Sequence, residues 1–201
     1  MTLFLTTAYL APVEYYILSV QAGRVIIESN DNYVKQTYRN RCVIACANGL
    51  QTLTIPVVNT AAKCLMRDIR IADHGNWQHL HWNAIVSAYK STPFFEYYAD
   101  EFFLFYKKRQ HFLFDFNEQL REWLCSQLDI SFAVSYTTGY TAGPESGIWD
   151  LREAIHPKKK TVTEKFKPYY QVFENRYGFQ SNLSIIDLLF NMGPESFLWL
   201  S

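Results

Sequence analysis

The sequence predicts an α+β fold: a single compact domain, residues 1–201, in which a mixed or antiparallel sheet with an Asn-Gly hairpin is packed by several aromatic-rich helices. Three observations carry this. Short β-rich runs and long helical periodicities follow one another without a strict βα alternation. Asn48-Gly49 separates two β-rich runs, and that pair suits the positive φ angles of a two-residue hairpin turn. Aromatic residues make up 17% of the chain and concentrate in the helical stretches, which implies a bulky core. The length of 201 residues fits one domain of ordinary size.

Taken in order, residues 2–7 alternate and read as a strand, followed by a helix to about residue 20 with Pro12 at its first position. Their junction is where helix N-termini meet strand ends and where ligands commonly bind; Tyr9, Tyr15 and Tyr16 sit there either as lining or as packing. Residues 24–28 form a second strand, stopped by the turn-rich Ser29-Asn30-Asp31-Asn32. The hairpin follows over residues 41–57. A turn at Asn48-Gly49 sets Ala47 opposite Leu50, Ile44 opposite Leu53 and Cys42 opposite Ile55. Cys42, Ile44, Leu53 and Ile55 then form an apolar face, with Arg39, Arg41, Val43, Thr52 and Thr54 on the other. Asp68-Ile69-Arg70-Ile71-Ala72 reads as a further short strand.

Three helices come next. Residues 76–89 bring Trp77, His81, Ala84, Ile85 and Ala88 onto one face. Thr92 as N-cap and Pro93 at the first position open a helix to about residue 106, and residues 113–128 form a third, with Asn117 in its apolar stripe. Residues 130–136 alternate as a strand. The loop 137–147 is long for a plain connection; it lacks the GK[ST] end of a P-loop and suits a lid. Residues 150–154 read as a helical turn and 169–174 as a strand. Ser184 with Asp187 three residues on opens a last, almost wholly apolar helix, stopped by Gly193-Pro194.

Nineteen basic and nineteen acidic residues cancel, so no global field draws in nucleic acid or an anionic membrane. Cys42, Cys46, Cys64 and Cys125 show no CxxC spacing. Cys42 and Cys46 share a strand face about 13 Å apart, too far to bridge, so all four read as core thiols of a reducing compartment. No basic leader segment precedes an apolar run and no stretch is long enough to span a bilayer, which makes the cytoplasm the expected location. No cluster has metal-ligand spacing, and no cofactor motif occurs. His79 and His81 lie about 200° apart on their helix and cannot share one ion.

The polar residues that stand out are few. Residues 33–41 crowd Tyr33, Lys35, Gln36, Tyr38, Arg39, Asn40 and Arg41 onto the entrance of the hairpin, more donors than a strand end needs. His81 sits in an apolar helix face, where it is either a satisfied core group or a base with a pKa near neutrality. Asn117 and Asp187 are polar groups inside apolar stripes and require partners.

The chain resembles the WbqC-like protein family of bacteria. The residues that carry the resemblance are Tyr9-Leu10-Ala11-Pro12 with Tyr15-Tyr16, Tyr38-Arg39-Asn40-Arg41, and Leu53-Thr54-Ile55-Pro56-Val57. Trp77, Tyr89 and Pro93-Phe94-Phe95 follow, then residues 182–191 with Gly193-Pro194-Glu195, so the likeness spans almost the whole chain. Similar chains often carry Gln-Pro where this one has Thr7-Ala8, and a ligand role of that glutamine does not transfer. The resemblance implies work in surface polysaccharide (O-antigen) synthesis: an acyl- or aminoacyl-type transferase acting on an activated amino sugar, with a nucleotide sugar as its small-molecule partner. In that scheme Arg39 and Arg41 hold phosphate. Tyr9, Tyr38 and Tyr89 contact the sugar, His81 or Asp187 takes the amine proton, and Asn40 or Asn117 orients the acceptor. The competing expectation is a non-catalytic binding or scaffold protein of the same assembly pathway.

Overall fold

Residues Thr2–Thr6 are buried on both faces, with Leu3, Phe4 and Leu5 each at most 2% exposed, and a strand covered on both sides belongs at the centre of a parallel sheet. It does so in the computed structural model, which describes residues 1–58, 63–143, 146–163 and 166–201. This strand, β1, leads through α1 (Val13–Ala22) into β2 (Arg24–Glu28), and the two strands pair in parallel from Thr2 opposite Arg24. The hairpin is β3 (Arg41–Cys46) and β4 (Gly49–Thr54). Helices α2 (Trp77–Tyr89), α3 (Phe95–Lys107) and α4 (Leu113–Gln127) precede β5 (Ala133–Tyr136) and β6 (Ile148–Asp150). A short α5 (Glu174–Tyr177) and α6 (Ile185–Met192) follow, and α6 runs into a 3-10 turn over Gly193–Trp199.

Helices and strands thus combine as an α+β fold with both kinds of pairing, divided between two sheets. Four strands, in the order β5-β2-β1-β6, are all parallel. The hairpin forms its own antiparallel pair. All four parallel strands therefore end at one edge, at Thr6, Glu28, Tyr136 and Asp150, and that edge organises the polar chemistry.

Several local expectations are corrected. The hairpin does not turn at Asn48-Gly49: Cys46 pairs with Gly49 and Cys42 with Leu53, so the loop is Ala47-Asn48. Asn48 keeps a negative φ while Gly49 takes +106°, so the positive φ falls after the loop, where only glycine adopts it freely. The two registers differ by two residues, an even step, so the apolar face survives and Cys42, Ile44, Leu53 and Ile55 are all buried. Residues 69–72 are no strand, because their backbone bonds divide between two neighbours: Ile71 N–H donates to His111 and Ala72 N–H to Pro56. Residues 169–174 are no strand either. There the Gln171 side-chain amide both donates to and accepts from the backbone of Gln180, replacing a partner strand. Thr92 closes α2 through its hydroxyl bond to the Tyr89 carbonyl instead of capping α3. Pro12 is the N-cap of α1, one position earlier than expected.

Ser184 does not cap α6 through its side chain; its hydroxyl donates to the Leu10 carbonyl at 2.8 Å. Leu10 has φ +43°, a left-handed backbone on a fully buried non-glycine residue, and this bond helps hold it there. Glu14 and Asn182 exchange two further bonds across the same seam, each 2.9 Å. The first and last motifs of the family resemblance therefore meet and lock the two ends of the chain together.

Between the helices lies an aromatic core in which Phe102 stacks on Trp123 and meets Phe190 edge-on. Gly193 ends α6 with φ +55°, and a methyl group at its Cα would overlap the Phe94 ring. Gly193→Ala is expected to cost about 3 kcal/mol from strain and overpacking together. For a chain of this size that is roughly 9 °C in Tm, measurable by calorimetry; a change within about 2 °C would show that the ring yields freely.

Candidate active site at the carboxyl edge of the parallel sheet

A cavity of about 520 Å³ opens where the parallel strands end. Asp31 and Asn32 reach it from the turn after β2, Tyr140 and Ala142 from the loop after β5, and Asp150, Arg152, Glu153 and Ala154 from the end of β6. Open parallel sheets bind ligands at this position, because successive loops diverge there and leave a crevice. A narrow cleft below shares Arg39 and Arg152 with it and is lined by Thr6, Tyr15 and Tyr38.

Arg39 joins the wall from the loop before β3. Its side chain is only 2% exposed, and its Nη2 lies 2.7 Å from Asp31 Oδ2 and 3.1 Å from Glu153 Oε1. Asp31 is 10% exposed and Glu153 59%, so one guanidinium joins a sunken carboxylate to an open one. Burial pushes the Asp31 carboxyl up, more than the pull of Arg39 brings it down. Arg152 lies over the Phe4 ring at 4.2 Å, bonds Asp150, and donates to the carbonyls of Thr141 and Ala142. Burial would raise Asp150, but the bonds from Arg152 outweigh it and leave that carboxyl below its usual value. Glu28, fully buried, accepts from Thr137 Oγ1, from the Asn30 and Thr141 backbone, and faces Arg152 at 3.5 Å. Glu28 and Arg152 together tether Thr137, Thr141 and Ala142; Pro144 and Glu145 of the expected lid lie outside the described residues.

Buried side-chain atoms without a partner gather around Arg39. Among the described residues they are Thr6 Oγ1, Asp31 Oδ1, Arg39 Nε, Asn40 Oδ1, Arg41 Nε and Asn117 Oδ1. Asn117 donates to the Arg39 carbonyl at 2.8 Å and braces its backbone, Asn40 donates to the Ile55 carbonyl at 2.9 Å, and the oxygen of each amide is left over. Folded chains hold few such atoms, and their concentration at one place singles out this wall as the candidate site.

The expected site residues fall into three groups. Tyr38, Arg39, Asn40, Arg41 and Asn117 are at or behind this wall, with the Tyr38 phenol pushed up to about 12 by burial. Tyr9 and His81 form a second group, in which the Tyr9 hydroxyl bonds His81 Nδ1 at 3.0 Å and the Tyr106 hydroxyl at 2.7 Å. Burial pushes the His81 imidazole down to about 4, so it is neutral at physiological pH. Asp187 forms the third: it accepts from the Tyr89 hydroxyl at 3.0 Å, and from Tyr169 and Gln171 at 2.8 Å each. Burial pushes that carboxyl up to about 6. Neither His81 nor Asp187 lines the large cavity, although Gln171 lines a smaller one of about 130 Å³ beside the hairpin.

A match to the sequence profile of the WbqC-like protein family extends over residues 7–159, three quarters of the chain. The chain belongs to the WbqC-like protein family. The uncharacterized protein Rv1507c of Mycobacterium tuberculosis is similar to this WbqC-like chain, with 28% identity over 210 residues, covering 90% of this chain and 89% of the relative. No solved structure matches the chain. The matched region includes every strand but β1 and the whole large cavity. The Thr7 hydroxyl donates to Glu118 at 2.7 Å, and Glu118 also accepts from the buried Arg121 and from the exposed Tyr136. Among the described residues no helix is long and apolar enough to cross a membrane, and no group of three or more His, Cys, Asp or Glu side chains is arranged to hold a metal ion.

Asp31, Tyr140, Asp150, Arg152 and Glu153 were not among the expected site residues. Their signal was positional: Asp31 lies three residues past the end of β2, but the importance of that place depends on the strand being parallel. β6, three residues long, carried no periodicity at all.

Proposed function

We propose that the cavity at the carboxyl edge of the parallel sheet binds a nucleotide-linked amino sugar. On this reading one domain spanning residues 1–201 acts in the cytoplasm, in surface polysaccharide (O-antigen) synthesis, as an acyl- or aminoacyl-type transferase. The observation that carries the reading is the cavity itself: about 520 Å³, at the ligand position of parallel sheets, with carboxylates, guanidinium groups and the Tyr140 ring on one wall. In the reaction the sugar amine attacks the carbonyl carbon of an acyl ester or thioester. A C–N bond forms, the bond to the leaving alcohol or thiol breaks, and the amine gives up its proton. No enzyme nucleophile is needed, and burial pushes the Cys42 thiol far up, out of the range of a reactive cysteine.

A thermal-shift series with nucleotides, nucleotide sugars and acyl thioesters tests this. A nucleotide-linked amino sugar at about a hundred times its Kd stabilises the native state by about 2.7 kcal/mol, or roughly 8 °C. Tyr140→Ala removes an exposed ring at the rim without touching the core, and is expected to shrink that shift by more than half. No shift from any class would end the proposal.

The second reading, a ligand-binding protein without catalysis, draws on one observation: His81 and Asp187, the titratable groups most suited to proton transfer by sequence, are both buried in hydrogen-bonded groups off the cavity. Mass spectrometry of a mixture with an acyl donor separates the two readings, since only a transferase yields the N-acylated sugar.

A further inference from the structure

The wall around Arg39 reverses the sign of charge that its arginine suggested. The guanidinium of Arg39 is committed to Asp31 and Glu153, and that of Arg152 to Asp150 and Glu28. Three carboxylates, Asp31, Asp150 and Glu153, thus line one wall with two guanidinium groups, and a fourth, Glu28, is buried beside Arg152. Lys159 is near, but it is exposed and bonds the Glu153 backbone carbonyl, so the cation paired with the Glu153 carboxylate is Arg39.

Geometry sharpens this. Glu153 Oε1 is fixed by Arg39, while its Oε2 has no partner among the described residues. Asp31, nine-tenths buried on the same wall, has Oδ1 without a partner. Two carboxylates held by one arginine each keep an oxygen without a donor, that of Glu153 on an exposed side chain and that of Asp31 buried; the one donor left over beside them, Arg39 Nε, is buried on the guanidinium that already pairs with both. A phosphate would bring further negative charge to a guanidinium whose charge is already matched. A primary ammonium brings three donors and the opposite charge.

We infer that Asp31 and Glu153, positioned by Arg39, form the subsite for the protonated amine of the ligand, and that the phosphates of a nucleotide-linked sugar bind elsewhere. This rests on the reading of the cavity as a sugar site and names the group that enters it first. Arg39 is then a positioning residue, and Glu153 is the carboxylate that the amine meets from solvent.

The test compares three uridine diphosphate hexoses that differ at one carbon, bearing a free amine, an acetamide or a hydroxyl, together with the thymidine diphosphate set. Calorimetric titration at neutral pH is expected to give about tenfold tighter binding for the amine, and Glu153→Gln to bring the three within about twofold of one another. Glu153 is mostly exposed, so that variant folds; Asp31→Asn, with its fold checked by circular dichroism, is expected to act in the same direction. Equal binding of amine and hydroxyl forms would overturn the amine subsite and leave the sugar site standing. A preference that survives both substitutions would overturn the assignment to these residues, and no binding by any of the six sugars would overturn the sugar reading as well.

Discussion

Arg39→Ala is expected to lower folding stability by about 4 kcal/mol, although Arg39 lies on the wall of an open cavity. The side chain is 2% exposed and its partner Asp31 10%, so removal leaves a sunken carboxylate without its cation and a hole where the guanidinium was. The other contacts soften this little. Glu153 is 59% exposed and regains water, and Thr37 Oγ1 is 3.5 Å away, at the limit of a hydrogen bond. The expected signature is non-additivity. Adding Asp31→Asn to Arg39→Ala is expected to recover at least half of the loss, because the uncompensated charge disappears and only the hole remains. Urea unfolding of the wild type, both single variants and the double variant, followed by tryptophan fluorescence, completes the cycle. A single-variant loss under about 1 kcal/mol, or a double variant no better than Arg39→Ala, would mean that Asp31 finds water when Arg39 leaves.

That dual character explains what sequence reading can and cannot reach here. The crowd of donors at residues 33–41 is visible in one dimension, and the structure does set a concentration of unsatisfied polar atoms there. The sign of the site was not visible, because Asp31, Asp150 and Glu153 come from three turns that only the parallel sheet brings together. Local signals succeeded where local physics decides: β2 was legible to the residue, and α2 and α4 to within one. They failed where a distant bond overrides a nearby preference. Ser184 and Asp187 have the spacing of a capping box, yet Ser184 is drawn to the strained Leu10 carbonyl and Asp187 to Tyr89, Tyr169 and Gln171. The Asn-Gly turn failed by a smaller margin, since Gly49 supplies the positive φ after the loop and the even shift leaves the buried face unchanged.

Asp187→Asn is expected to gain on the wild type by about 3 kcal/mol between pH 4 and pH 7. Burial, opposed by bonds from Tyr169, Gln171 and Tyr89, pushes the folded-state carboxyl from 3.8 up to about 6. A folded pKa above the unfolded one means that the native state holds the proton more tightly. Stability from this group is therefore greatest below about pH 4, falls as pH rises towards 6, and stays low above. Asparagine has the shape of the neutral acid and does not titrate, so the variant lacks this slope. Glu14 and Asp31 are also raised by burial and contribute slopes of the same sign, but both are present in each protein and cancel in the difference. The absolute offset is set by hydrogen bonds: the carboxylate accepts from three buried donors, and the amide presents N–H to one of them, which costs the variant about 1 kcal/mol at the acid end. The two stability curves are thus expected to cross between about pH 4 and pH 6, the wild type ahead in acid and the variant ahead at neutrality. Parallel curves in urea titrations across that range would mean that the three donors keep Asp187 ionised throughout, and that its charge costs the fold nothing.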